Sequence, residues 1–200
     1  MKSILIATLT GAIALVAAHA AEIGKPAPAF TGKNVKGEAV SLADFAGKAV
    51  VLEWTNLECP FVRKHYDTGN MQKLQKSAAE KGVIWITVNS SAEGKQGYCN
   101  AEKMTKCIET EKIESAQVLL DPEGTIGKAY AAKVTPHMFI INKDGTLAYD
   151  GAIDSNSSTE KADVATAEPL FANALEAVLA GKPIENAKNK PYGCSVKYME

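Results

Sequence analysis

Two runs of adjacent apolar residues, Ala49 to Trp54 and Val83 to Val88, constrain this chain more than any other feature. A strand with one wet face alternates apolar and polar residues. These runs do not, and Glu53 alone interrupts the first, so both read as strands covered on two faces, as in a parallel sheet. Pro60 to Lys81 between them reads as helix with a break near Asp67-Thr68-Gly69-Asn70, completing a β-α-β unit. Residues 90 to 106 are polar, with Gly94 and Gly97, and read as an inserted loop that enters a helix from Ala101 to Ile113. A strand at Gln117 to Leu120, an Asp121-Pro122-Glu123-Gly124 turn and a short helix to Ala132 follow. Met138 to Asn142 and Leu147 to Asp150, joined by Lys143-Asp144-Gly145, carry an Asp-Gly hairpin signal. Pro169 to Ala180 repeats apolar residues at helical spacing and stops before Gly181. The order predicts an α/β fold, a central mixed β-sheet flanked by helices.

With 200 residues, 46% apolar and 22% charged, the chain forms one domain with its own core. A formal charge of −1 excludes nucleic acid and anionic membranes as main partners. Lys2, the apolar run Ile4 to Ala18 and the ending Ala18-His19-Ala20 have the order of a secretory signal peptide. The run is too short for the roughly 20 residues of a spanning helix. The expected organisation is a signal peptide at 1–20, a domain at 21–182 and a C-terminal tail at 183–200 carrying Cys194, with no membrane contact after cleavage. All four cysteines, Cys59, Cys99, Cys107 and Cys194, follow the signal. The compartment is then periplasmic or extracellular, where disulfides persist. Of the histidines only His65 and His137 remain, too few for a dense metal site, and neither metal nor cofactor is expected.

Cys59-Pro60 stands where the first strand turns into helix. A cysteine at a helix N-terminus faces free backbone N–H groups and the positive end of the dipole, which stabilise the thiolate, the reactive form. Pro60 suits the first helical position, Arg63 follows one turn along, and Glu58 opposes both electrostatically. Glu53 is a carboxylate within an apolar strand. Buried, it must find hydrogen bonds or hold a proton at a raised pKa, as a general base does; the alternative is that it faces water at the strand end.

Trp54-Thr55-Asn56-Leu57-Glu58-Cys59-Pro60-Phe61-Val62 resembles the Cys-x-x-Cys site of thioredoxins, with Val62 at the place of the second cysteine. Cys59 to His65, Thr135-Pro136 before a strand, and Gly193-Cys194-Ser195-Val196-Lys197-Tyr198 together resemble a peroxiredoxin-like branch of that superfamily, the alkyl hydroperoxide reductase and thiol-specific antioxidant domains. The resemblance spans residues 23 to 198. It implies a thioredoxin-like fold with an inserted loop-helix and a C-terminal tail. It further implies a cis Thr135-Pro136 bond beside the active cysteine, whose preceding backbone is extended and able to pair with a substrate peptide. Glu53, six residues before Cys59, takes the place of the family's proton acceptor. His137 either approaches Cys59 or is solvated on its strand; His65 lies well round the helix and reads as structural.

A thiol exchanger working alone needs a second sulfur to release its substrate. Four cysteines allow three pairings. Cys59 with Cys194 and Cys99 with Cys107 is one, in which the tail folds back over the site and Cys99 lies in the loop before its helix. Resolution of Cys59 by Cys99 or by an external thiol is another. The leading reading is an exported thiol-disulfide oxidoreductase acting on protein or small-molecule disulfides with a redox partner protein. The alternatives are a thiol peroxidase acting on hydroperoxides, a metal-binding protein resembling the copper chaperones of respiratory oxidases, and a redox-inert scaffold. Peroxiredoxins carry threonine three residues before the cysteine and a sequence-remote arginine. Here Asn56 holds that position and Arg63 is the only arginine.

Overall fold

The structure, a computed structural model, describes residues 21–199; the signal peptide assigned to residues 1–20 lies outside them. In chain order the elements are β1 (Thr31–Asn34), β2 (Ala39–Ser41), β3 (Val50–Trp54), α1 (Pro60–Asp67), α2 (Asn70–Glu80), β4 (Ile84–Asn89), α3 (Ala101–Glu111), β5 (Gln117–Leu120), α4 (Thr125–Ala129), β6 (Val134–Thr135), β7 (His137–Ile141), β8 (Leu147–Gly151), α5 (Leu170–Leu179) and β9 (Cys194–Ser195). Seven strands form a mixed sheet in the order β2-β1-β5-β4-β3-β7-β8. β3 and β4 pair in parallel, as do β4 and β5, whereas β7 lies antiparallel to β3 and β8 antiparallel to β7.

The unbroken apolar runs are the middle of this sheet. All five residues of β3 are buried. Val50, Leu52 and Trp54 meet Ile86, Leu119, Phe139 and the α4 residue Ile126 on one face. Val51 meets Trp85, Met138, Ile140 and the α5 residue Phe171 on the other. Covering both faces is what such runs require. The expected helix break falls between α1 and α2, where Gly69 takes φ 73°, a left-handed conformation that favours glycine. Tyr66 and Lys64 cap the end of α1, their carbonyls accepting from Gly69 N–H at 3.0 Å and from the Thr68 hydroxyl at 2.8 Å.

The C-terminal tail folds back along the domain. Asp150 N–H donates to Ala187 O at 2.9 Å and Ala152 N–H to the Asn189 side chain at 2.8 Å. Beyond this, β9 pairs antiparallel with β6 as a separate two-stranded ribbon, a strand that the irregular sequence of the tail did not announce. Among the described residues no helix is long and apolar enough to cross a membrane.

Phe139 centres the aromatic cluster beneath β3, its ring 5.2 Å from Trp54, 5.5 Å from Tyr130 and 4.3 Å from His137. Phe139→Ala is expected to lower stability by about 3–5 kcal/mol, since the cavity cannot collapse in a packed core. Urea unfolding checks this; a loss of less than about 1 kcal/mol, typical of a surface change, refutes it.

Candidate active site

The turn leaving β3 is built to deliver a cysteine to a helix start. Thr55 N–H extends the sheet to Val88 O at 2.9 Å, the Asn56 side chain accepts from Glu58 N–H at 2.9 Å, and Cys59 N–H donates to Asn56 O at 2.9 Å. Cys59 is then the N-cap of α1 with Pro60 at the first helical position, where the missing N–H is not needed. Its sulfur therefore sits at the end of the helix that favours an anion. Cys59 is 0% exposed, and its thiol donates to Thr135 O at 3.2 Å.

Thr135 joins the two cysteines. The Thr135-Pro136 bond is cis, as the resemblance implies. On its other side Thr135 is the register partner of Cys194, Val134 that of Ser195, and Val196 N–H donates to Lys133 O at 2.9 Å. Cys194 is half-buried against Cys59. Burial first, and then the neighbouring Cys59 sulfur, push the Cys194 thiol up to about 12. Two sulfurs in contact resist carrying two negative charges, which is why the neighbouring sulfur adds to the rise at Cys194. Cys99, in the loop just before the α3 N-cap Asn100, adjoins Cys107; burial raises its thiol to about 11, and the Cys107 sulfur adds to this. All four cysteines are thiols in this structure.

Glu53 is 0% exposed, inside the domain and not at a wet strand end. Four side chains donate to its carboxylate: Trp85 Nε1 at 2.9 Å, Tyr66 Oη at 2.9 Å, Thr87 Oγ1 at 3.0 Å and Gln75 Nε2 at 3.1 Å. Burial raises its pKa against the lowering pull of these donors. Cys59 is not among its hydrogen-bond partners in the described residues.

Three expectations about nearby charges change. Arg63, one turn beyond Cys59, is taken up by Asp67 and by Glu111 at 2.7 Å on the outer face of α1. Glu58 turns to the inserted loop, accepting from Lys103 Nζ at 2.9 Å and Gly97 N–H at 3.1 Å. His137 neither approaches Cys59 nor meets solvent: it is buried, stacked on Phe139, with Nε2 2.8 Å from Asp150 Oδ1, because strand alternation turns it to the face opposite Met138. Burial lowers its pKa, and Asp150 opposes the shift.

His65 is structural as expected, but its surroundings hold what the sequence reading missed. Tyr192, two residues before Cys194, donates its hydroxyl to Asp154 and accepts from Lys64 Nζ at 3.2 Å; His65 Nε2 lies 3.2 Å from the same oxygen. Lys64 Nζ also donates to Asn156 O at 2.8 Å and stands 3.5 Å from Asp154 Oδ2. Burial, with the Lys64 charge, pushes His65 down to about 4, so at neutral pH it is uncharged. The signal available in sequence was the pair Lys64-His65 inside a helix otherwise expected to bury apolar residues.

The chain resembles known proteins in sequence and in fold. The model of the AhpC/TSA family matches residues 23–150. A thiol-disulfide oxidoreductase called ResA from Bacillus thuringiensis is 30% identical over 126 residues, which cover 63% of this chain and 67% of that protein. An uncharacterized conserved protein of Geobacillus kaustophilus has a solved structure that superimposes with a TM-score of 0.75 at 29% identity, covering 89% of this chain and 93% of that one. A hypothetical protein of Sinorhizobium meliloti gives the same TM-score at 22% identity, over 90% of this chain and 97% of the other, a likeness of fold.

The raised pKa of Glu53 carries a sign. Folding favours its neutral form, so its contribution is fully present below the unfolded value of 4.5 and is lost as pH rises through the higher folded value. Glu53→Gln, which keeps the shape without the charge, is therefore expected to gain stability relative to the native chain as pH goes from 4 to 8. Equal pH dependence of the two unfolding free energies refutes a buried titrating carboxyl.

Proposed function

The chain belongs to the AhpC/TSA family, and on that premise we propose that it is a thiol-disulfide oxidoreductase whose working dithiol is Cys59 with Cys194. The observation that carries this is Thr135, which accepts the Cys59 thiol and is register partner to Cys194. The Cys59 thiolate attacks one sulfur of a substrate disulfide; that S–S bond breaks, the departing sulfur leaves as thiolate and takes up a proton, and a mixed disulfide with Cys59 remains. Cys194 gives up its proton and attacks the Cys59 sulfur. The second substrate sulfur leaves, the substrate is reduced by two electrons, and Cys59–Cys194 is the oxidised product. A partner dithiol returns the chain to its starting state, and the same steps in reverse oxidise a dithiol.

Thr135 and Pro136 shape the backbone beside the reacting sulfur. Glu53 is the proton acceptor, supported by its burial and raised pKa. Cys99 and Cys107, adjoining thiols in this structure, are the pair that oxidation would join into a separate staple of the inserted loop and its helix. The substrates are protein or small-molecule disulfides, and residues 1–20 direct the domain, 21–182, with its tail, 183–200, out of the cytoplasm. A hydroperoxide substrate is less well supported: the one arginine of the chain is paired with two carboxylates.

Cys59→Ser is expected to abolish disulfide reductase activity, and full turnover in that variant would place the chemistry on another sulfur. Cys194→Ser is expected to trap substrate on Cys59 as a mixed disulfide visible by mass spectrometry; if complexes do not accumulate and turnover is unaltered, Cys194 has no resolving role.

A further inference from the structure

Thiol-disulfide exchange requires an incoming sulfur to reach the attacking one, yet Cys59 is fully buried. What lies over it includes the chain's own tail. An extended peptide binds a protein by adding a strand wherever a backbone edge is exposed. Here the edge at residues 133–135 is filled by β9, with Cys194 opposite Thr135. We propose that residues 192–198 are a resident substrate strand: the Gly193-Cys194 segment occupies the peptide-docking edge beside Cys59, and an external peptide bearing a Gly-Cys sequence enters when this strand lifts from its Tyr198 end. The inference rests on Cys59 being the nucleophile proposed above.

The glycine requirement comes from close approach. Gly193 has φ 139°, and a Cβ at that position would overlap the Thr135 carbonyl oxygen, the same oxygen that accepts the Cys59 thiol. Neither can yield without moving the site. Any strand laid on this edge in this register must therefore have no side chain just before its cysteine.

The two ends of the strand are held unequally. Tyr192 is fixed by the buried Lys64, His65 and Asp154, and its ring meets Phe61 edge-on at 5.8 Å. Removing a partner from such a buried charged group is costly. Tyr198 is held by one neutral hydrogen bond, by packing and by the exposed Lys128, whose Nζ stands 5.8 Å from its ring centroid, a weaker hold than a buried charge cluster. Its hydroxyl donates to Ala132 O at 2.8 Å, and its ring lies on Gly124 and Gly127, where an added Cβ would overlap it. Beside it Ala92 N–H donates to Lys197 O at 2.8 Å. The Tyr198 end opens first, uncovering Cys59 while Tyr192 keeps Cys194 hinged nearby for the second step.

The test uses the full chain carrying Cys194→Ser, so that the strand remains but resolution stops. Alkylation of Cys59 by iodoacetamide is followed by peptide mapping. Exchange is followed with Tyr-Gly-Cys-Ser-Val and Tyr-Ala-Cys-Ser-Val, each as a mixed disulfide with thionitrobenzoate. Adding Tyr198→Phe, which removes one neutral hydrogen bond and keeps the ring, is expected to speed both reactions at Cys59 about fivefold. Tyr198→Ala is expected to speed them further, with the glycine peptide faster than the alanine peptide throughout. Equal Cys59 rates in all tail variants overturn the resident strand while leaving the thiol chemistry in place. Equal rates for the two peptides overturn the Gly-Cys requirement. A Cys59 that reacts only after unfolding, whatever the tail variant, overturns both the nucleophile and the strand built upon it.

Discussion

The peptide unit of Thr135 is the point on which the site depends. Its oxygen takes the Cys59 thiol, its register places Cys194 opposite, and the next strand begins two residues later at His137. That strand pairs with β3 so that His137 faces Trp54. The two sulfurs are thus brought together by sheet register, through strands whose alignment is fixed by buried side chains on both faces. A one-residue slip would exchange those faces, so the dithiol geometry inherits the rigidity of the core.

Around it α1 departs from the usual rule for a helix packed on a sheet. Lys64, His65 and Tyr66 are all buried. Each has partners: Tyr66 donates to Glu53, and Lys64 and His65 hold Tyr192. Burying such groups is tolerated only when they are satisfied. The polar interior therefore specifies position more than it adds stability. It fixes the helix that carries Cys59 against the central sheet at one point and against the tail at another.

Much of this was legible in the sequence, for identifiable reasons. The double-covered strands, the break near Gly69 and the Asp-Gly hairpin are local signals written in apolar runs and turn residues, and the structure has all three. The helix start at Cys59-Pro60 is a capping pattern of the same kind. What sequence could not show is long-range. Nothing near Arg63 predicts its capture by Glu111, nor does the neighbourhood of His137 announce Asp150 across the hairpin. β9 is two residues long and owes its existence to the edge it meets, so periodicity is silent there. Tyr192 is an unremarkable residue in a polar tail until the fold brings Lys64 to it, 128 positions away in the chain.

In the reaction proposed for Cys59 and Cys194, the anchoring of Tyr192 would also govern how long a captured partner stays. A thiol tethered beside a mixed disulfide meets it at an effective concentration on the order of millimolar or above, set by the tether and not by the solution. Release then outruns dissociation of any complex held by surface contacts alone.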